Sequence, residues 1–440
     1  MGGFLFGFDL SIVSGAQIFL EEEFQLSADS LGFACSCAML GCLLGPVLVG
    51  LGLSDRLGRK PVLMITAVAF GISAVGTALP PTIAVFNMFR IIGGVAVGVA
   101  SMISPLYIAE IAPKRIRGRL VIVNQLAITS GSLISAIVAY YLSPDVSGLS
   151  ADAAWRWMFA TECIPVALLV VGLFCVPESP RWLMEKGRED EAREVLTRVD
   201  GPSAAEAEIE EIRSALAGES GGWSELWLPG IRIALIIAVM LAMLQQFTGV
   251  SPMLLYVPKV FQKAGFEATS DALFQSAIMF GWNLFCCVIA LWLVERLGGR
   301  PLLIAGLGFM GIGLLLFGYC FSAQIEGLPM LVSMFFAVGA YNLSIAPLAW
   351  LIMSEIFPTR VRDKAMAIAT ISLWLAAWIN GQTFPMLMDA IENRYGTPAG
   401  VFWIYAGVCL FAVLFSQRMV PETKGKSLEE IGRSWTTDPK

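Results

Sequence analysis

Apolar stretches of about 20 residues, each bounded by short polar segments, recur along the whole chain. A stretch of that length crosses a bilayer as a helix, because lipid offers backbone N–H and C=O groups no outside partner. The pattern predicts spans near 1–20, 31–53, 61–79, 82–109, 118–142 and 155–176, then 231–261, 271–295, 301–322, 328–356, 364–390 and 398–419. Between the sixth and seventh it changes to a polar, charged segment, 177–230. There Ser203-Ala-Ala-Glu206, after Gly201-Pro202, reads as a capping box, and Arg188 to Arg198 as charged amphipathic turns. Short surface helices or a plain solvated linker both fit. The predicted organisation is a six-helix bundle over 1–176, a helical linker over 177–230, a second bundle over 231–419 and a tail over 420–440.

The two sets of six are related. Glu110-Ile-Ala-Pro113-Lys-Arg115-Ile-Arg117 returns as Glu355-Ile-Phe-Pro358-Thr-Arg360-Val-Arg362, Asp55-Arg-Leu-Gly-Arg59 as Glu295-Arg-Leu-Gly-Gly299, and Pro177-Glu178-Ser as Pro421-Glu422-Thr, at a nearly constant offset. A duplicated unit follows. The fold class is therefore an all-α membrane protein, twelve transmembrane helices in two pseudo-symmetric six-helix bundles. In a chain this apolar, two related halves point to a transporter whose substrate sits between them.

Composition and charge place the ends. The chain is 57% hydrophobic and 15% charged with a mean hydropathy of +0.73, against about 25% charged residues in soluble proteins. All but five of the 29 Lys and Arg fall in the loops at 54–60, 110–119, 177–232, 296–300 and 357–364 or in the tail from Arg418. The five are Arg90, inside a span, and Arg156, Lys259, Lys263 and Arg394 on the other side. Both termini and the linker are thus expected in the cytoplasm. The net charge of −6 follows this topology and gives no sign of a nucleic-acid partner. All nine Cys fall in spans without a Cys-x-x-Cys pair and read as apolar filler, so neither metal nor cofactor is expected. The chain has no His, so proton chemistry must use a carboxylate, and the usual catalytic triads and metal centres of an enzyme lack their base or ligand.

Two intramembrane charges stand out. Asp9 and Arg90 both sit near mid-depth of their spans, counted at about 1.5 Å per residue, and can meet. Ionisable groups in lipid are costly and mark ion pathways, although a static pair docking two helices is the plainer alternative. Near the basic loops, each half repeats an acid, a base and a second acid: Glu110, Arg117 and Glu178, then Glu355, Arg362 and Glu422.

Gly2-Gly-Phe-Leu-Phe-Gly-Phe-Asp9, Asp55-Arg-Leu-Gly-Arg59-Lys, Arg90-Ile-Ile-Gly-Gly, Pro177-Glu-Ser-Pro-Arg181, Gln245-Gln246-Phe, Ser354-Glu-Ile-Phe-Pro358 and Pro421-Glu-Thr-Lys-Gly-Lys426 together resemble the sugar porter family of the major facilitator superfamily. The resemblance covers nearly the whole chain, and within the family the pattern is similar to bacterial xylose–proton symporters. It implies a carrier of a sugar or polyol; the short outer loops, with the sole Asn-x-Ser sequon at Asn342 inside a span, suit a bacterial inner membrane, and a monomer is expected. Proton-coupled members carry Asp at the position of Asp9 and facilitators Asn, so it implies symport, with a uniporter as the alternative and a non-transporting sensor further off. It also implies that Asp55, Arg59, Glu110, Arg117, Glu178, Glu295, Glu355, Arg362 and Glu422 form a cytoplasmic gate of inter-helix ion pairs. Gly299 and Asp363 depart from that pattern, which shifts the second half's gate toward Arg300.

For the substrate, the resemblance points to Gln125, Gln245, Gln246, Asn283, Trp350 and Trp374, amides for hydroxyls and indoles for the C–H face of a sugar. Three positions depart from the family: Ser251 replaces an Asn, Leu255 a Tyr and Ala377 an Asn. Asn380, three residues beyond Ala377, is expected to serve the same cavity. Family members also carry a longer lead before Gly2-Gly3, so a longer native N-terminus is expected.

Overall fold

The computed structural model describes residues 1–113, 117–217, 222–263, 265, 268–357 and 359–422. Eleven helices there are long and apolar enough to cross a membrane. They are spans 1 to 6 (Gly2–Phe24, Ala28–Gly50, Arg59–Ala78, Ile83–Ile111, Arg117–Tyr141, Ala151–Cys175), spans 7 to 10 (Pro229–Phe247, Thr269–Leu297, Gly299–Ser322, Leu328–Glu355) and span 12 (Ala399–Met419). Span 11, Thr359–Tyr395, is the longest at 37 residues and completes the twelve. Its middle carries Asn380, Gln382 and Thr383, which make it less apolar than the others.

Local chemistry sets the helix ends. The Ser27, Thr82 and Ser150 hydroxyls accept the N–H three residues on, at 3.4, 3.4 and 3.3 Å, as N-caps. The repeated Arg-Leu-Gly motif turns the chain in the same way twice: Gly58 has φ +98° and Gly298 φ +84°, left-handed values that suit a residue without Cβ, and span 3 or span 9 begins at the next residue.

Packing repeats as well. Span 1 lies on span 5 and span 7 on span 11; span 2 lies on span 4 and span 8 on span 10. Between halves, span 2 runs along span 11 and span 8 along span 5, the same contact with the halves exchanged. Spans 2 and 4 approach closely because Gly41 and Gly45 face Gly94 and Gly98; a Cβ on Gly98 would lie 2.5 Å from the Cys42 carbonyl oxygen.

Three spans are interrupted where continuous helices are expected from the sequence. Span 6 breaks between Ala160 and Cys163, at Thr161-Glu162. After Phe247 the seventh continues only as short pieces, Val250–Leu255 and Val257–Lys263; Gly249, φ +93°, sits so close to the Tyr405 ring that a side chain there would overlap it. Span 10 breaks at Ser344, φ −131° and ψ −96°. Hydropathy reports burial rather than helix continuity, so none of these breaks shows in it.

The linker carries helices Pro180–Glu185, Glu189–Asp200 and Pro202–Ala217. The last starts at Pro202, where a fixed φ favours a helical start, so the capping box expected at Ser203 does not set that end. Glu206 instead pairs with Arg193 at 2.8 Å.

Candidate functional site

A cavity of about 560 Å³ opens between the halves. It is lined from spans 1, 2, 4 and 5 on one side and spans 7, 8, 10 and 11 on the other, and reaches down to Pro105 and to Ser354, the penultimate residue of span 10. Gln125, Gln245, Gln246, Ser251, Asn283, Trp350 and Trp374 all line it. Gln245 is held from behind: its Nε2 donates to the carbonyls of Ile345 (3.4 Å) and Ala346 (2.7 Å), acceptors beside the break in span 10. Two polar atoms at the wall are buried without a partner among the described residues, the acceptor Asn283 Oδ1 and the donor Trp374 Nε1–H. Buried polar atoms normally find partners, and both of these belong to residues that line the cavity.

Asn380 is a correction to the expectation from sequence. Its Nδ2 donates to the Gln246 carbonyl at 2.5 Å and its Oδ1 accepts from the Tyr405 hydroxyl at 2.8 Å, and it does not line the cavity. Both ends of the amide are used inside the second half. Asn124 and Tyr341, which the sequence reading passed over, do line the cavity.

Asp9 and Arg90 meet. Arg90 donates to Asp9 Oδ1 at 2.5 Å and to the Asp9 carbonyl at 3.1 Å, and both residues are fully buried. Gly93, one turn along span 4, lets Ser73 of span 3 come close, since a Cβ there would lie 2.3 Å from the Ser73 hydroxyl oxygen. A third ionisable group was missed from the sequence: Glu162, at the break in span 6, is fully buried where that span packs on span 1. Neither Glu162 oxygen has a hydrogen-bond partner among the described residues. The signal was present, an acid inside an apolar stretch; the bend that aims it inward was not. Span 1 separates this group from the cavity. At 100° per residue, Gly7, Leu10 and Ser11 face the cavity and Asp9 the opposite side.

A family model described as Sugar (and other) transporter matches residues 1–435. The chain belongs to that family. It is 40% identical over 474 residues to the D-xylose-proton symporter of Escherichia coli K12, covering 100% of this chain and 95% of the relative. It is 38% identical over 441 residues to the arabinose-proton symporter of Bacillus subtilis, covering 99% and 93%. Among solved structures, the inward-open xylose transporter XylE from E. coli matches with TM-score 0.85 at 38% identity over 99% of this chain and 97% of that one. The XylE proton:xylose symporter bound to 6-bromo-6-deoxy-D-glucose matches with TM-score 0.81 at 38% identity and the same coverage. The fold is that of the major facilitator superfamily, in a multi-pass membrane protein.

In this sugar transporter the two ends of the seam differ. At the basic end, Arg59 is a hub: it grips Glu110 through two 3.0 Å bonds and reaches Asp55 at 3.5 Å and Glu185 at 3.9 Å. Burial pushes the Glu185 carboxyl above its usual range, with Arg59 opposing. Glu178 accepts the backbone N–H groups of Arg59 (3.0 Å), Lys60 (3.2 Å) and Ser179 (2.7 Å). The Ser179 hydroxyl donates to Glu110 at 2.5 Å. All these partners belong to residues 54–185. In the second half, Arg300 donates to the Gln417 carbonyl at 2.6 Å and Arg362 to the Phe357 carbonyl at 3.2 Å. Glu355 and Glu422 are half-buried, and the side chains of Arg117 and Glu295 lie outside the described residues.

At the far end, bonds cross between halves. Glu21 pairs with Lys259 at 2.8 Å. Gln382 Nε2 donates to the Asp29 carbonyl (3.0 Å) and carboxylate (3.1 Å), and the Ser36 hydroxyl donates to Gln382 Oε1 at 3.4 Å. Ser14 and Gln17 on span 1 donate to the carbonyls of Leu254 and Leu255, both at 3.3 Å, which the short piece after the break in span 7 presents. The cavity is therefore sealed at the far end while it reaches toward the basic one.

Proposed function

We propose that this chain carries a monosaccharide or polyol across a bacterial inner membrane together with a proton, alternating access between the two sides, with the basic end and both termini in the cytoplasm. The observation that carries it is the buried Asp9, Arg90 and Glu162 group on one face of span 1, whose other face lines the cavity. The proton is taken and released by Asp9, with Arg90 as its charge partner and Glu162 as the neighbouring acid. A carboxylate held against a guanidinium stays ionised, whereas one left alone among apolar side chains is stable only when protonated. Any shift of span 1 that parts Asp9 from Arg90 thus couples proton uptake to the shape of the cavity, and sugar on the front of the same helix biases that shift. The rocking units are residues 1–176 and 231–419, acting as a monomer in the bilayer. The charge cluster at the basic end, with its counterpart of Glu355, Arg362 and Glu422, is the cytoplasmic gate that re-forms across the seam when the far end opens.

Uptake of labelled xylose, arabinose and galactose into proteoliposomes tests the reading. Acidifying the outside is expected to drive accumulation by wild type. Asp9→Asn keeps size and polarity but holds one charge state, so counterflow should persist while accumulation is lost. Accumulation by Asp9→Asn at acid outside pH would remove Asp9 as the coupling acid. Sugar equilibration by wild type without response to pH would make the chain a uniporter.

A further inference from the structure

The cavity wall carries both polar side chains and an apolar strip. The amides of Gln125, Gln246 and Asn283 and the Trp374 indole N–H form its polar arc. Asn283 Oδ1 and Trp374 Nε1 are buried and unpartnered among the described residues, and Gln125 and Gln246 line the cavity with them. The apolar strip is contiguous. On span 11, Leu373, Ala377 and Gly381 follow at intervals of four and so share one face. A Cβ on Gly381 would meet Ser36 Cβ at 3.1 Å, Leu255 Cδ2 at 3.3 Å and Met39 Sδ at 3.6 Å, so that face continues past Ser36 onto Leu255 and Met39. Leu373, Ala377, Leu255 and Met39 all line the cavity, and each is buried. The nearby amides on span 11 are committed elsewhere, Asn380 to Gln246 and Tyr405 and Gln382 to Asp29 and Ser36.

We propose that the cavity is built for a deoxy sugar, a monosaccharide in which a methyl or methylene group replaces a hydroxyl on one edge; the inference rests on the sugar-transport reading above. The polar arc takes the hydroxylated edge, and the strip from Leu373 to Met39 takes the edge without one. A hydroxyl turned toward that strip loses its water and gains only carbon neighbours, a penalty worth roughly 5- to 150-fold in affinity. A methyl group in the same place gains roughly 4-fold from its own burial.

The test is competition binding on the full chain in proteoliposomes, read by quenching of tryptophan fluorescence and by inhibition of sugar counterflow. The probes are D-xylose, D-glucose and D-galactose, each with its monodeoxy derivatives at every carbon. At one carbon, the deoxy form is expected to compete at a concentration 5- to 150-fold below its parent. Leu373→Gln and Ala377→Asn, each adding an amide to the strip, should narrow or reverse that ratio. Parents that bind as tightly as all their deoxy forms would overturn the inference and leave the sugar-transport reading standing. If no sugar of either kind quenches or exchanges, that reading falls and the inference with it. The wild-type panel decides alone if a variant fails to fold.

Discussion

The two ends of the seam are built from different materials. At the basic end, the described ion pairs are dense and confined to one half, and at their centre the Arg59 and Glu110 side chains are each only 5% exposed. At the far end, the bonds are fewer and partly wet, yet they join the halves, with the Lys259 and Glu21 side chains 25% and 33% exposed. Buried pairs within a bundle make it rigid, while exposed pairs between bundles are weak enough to break in each cycle. A carrier needs both: stiff units, and a seam that opens for little.

Removing the hub should have the largest effect. Arg59→Ala leaves Glu110 buried without its cation, and a loss of about 3–5 kcal/mol is expected. Thermal unfolding in detergent should show it as a lower midpoint and a poorer yield, and an unchanged midpoint would erase the contrast between the ends. Next comes charge reversal at the far end: Glu21→Lys sets two ammonium groups facing each other, and Lys259→Glu on the same chain restores the pair. Spin labels across the seam should report a shift toward the form open at the far end in the single variant, returning in the double variant, with little change in unfolding midpoint. Gln382→Ala removes bonds to Asp29 and Ser36, each of about 1 kcal/mol, and should shift the same distances by a smaller amount. Salt should act least. Raising ionic strength screens the Glu21–Lys259 pair, worth about 0.2–1 kcal/mol, and should open the far end slightly while leaving the Arg59 cluster intact. Equal salt sensitivity at both ends would mean that burial does not distinguish them.

Much of this was legible in the sequence because a bilayer imposes one length and one polarity on every span. The duplicated motifs carried the symmetry, and the two glycines of the Arg-Leu-Gly repeats do fold alike. Asp9 and Arg90 could be paired from depth alone. Glu162 could have been found as an acid in an apolar run, but its approach to Asp9 depends on the break at Thr161, which no periodicity signals. Asn380 misled for a related reason. Residues three apart on a helix lie within about 60° of one face, so the position was close to the cavity side; what withdraws the amide is its capture by the Gln246 carbonyl and by Tyr405 from span 12. The linker helix at Pro202 shows the same limit, since two start signals stood side by side and the rigid one set the boundary.

The far-end seal has a consequence for how such a carrier diversifies. Ser14 and Gln17 hold the main-chain carbonyls of Leu254 and Leu255, which every amino acid supplies, while the side chains of those two residues line the cavity. Closure and selectivity are thus written in different atoms of the same residues. Mutation can exchange the side chains, and with them the cargo, without rewriting the latch, which leaves an evolutionary lineage free to try new nutrients on an unchanged mechanical cycle.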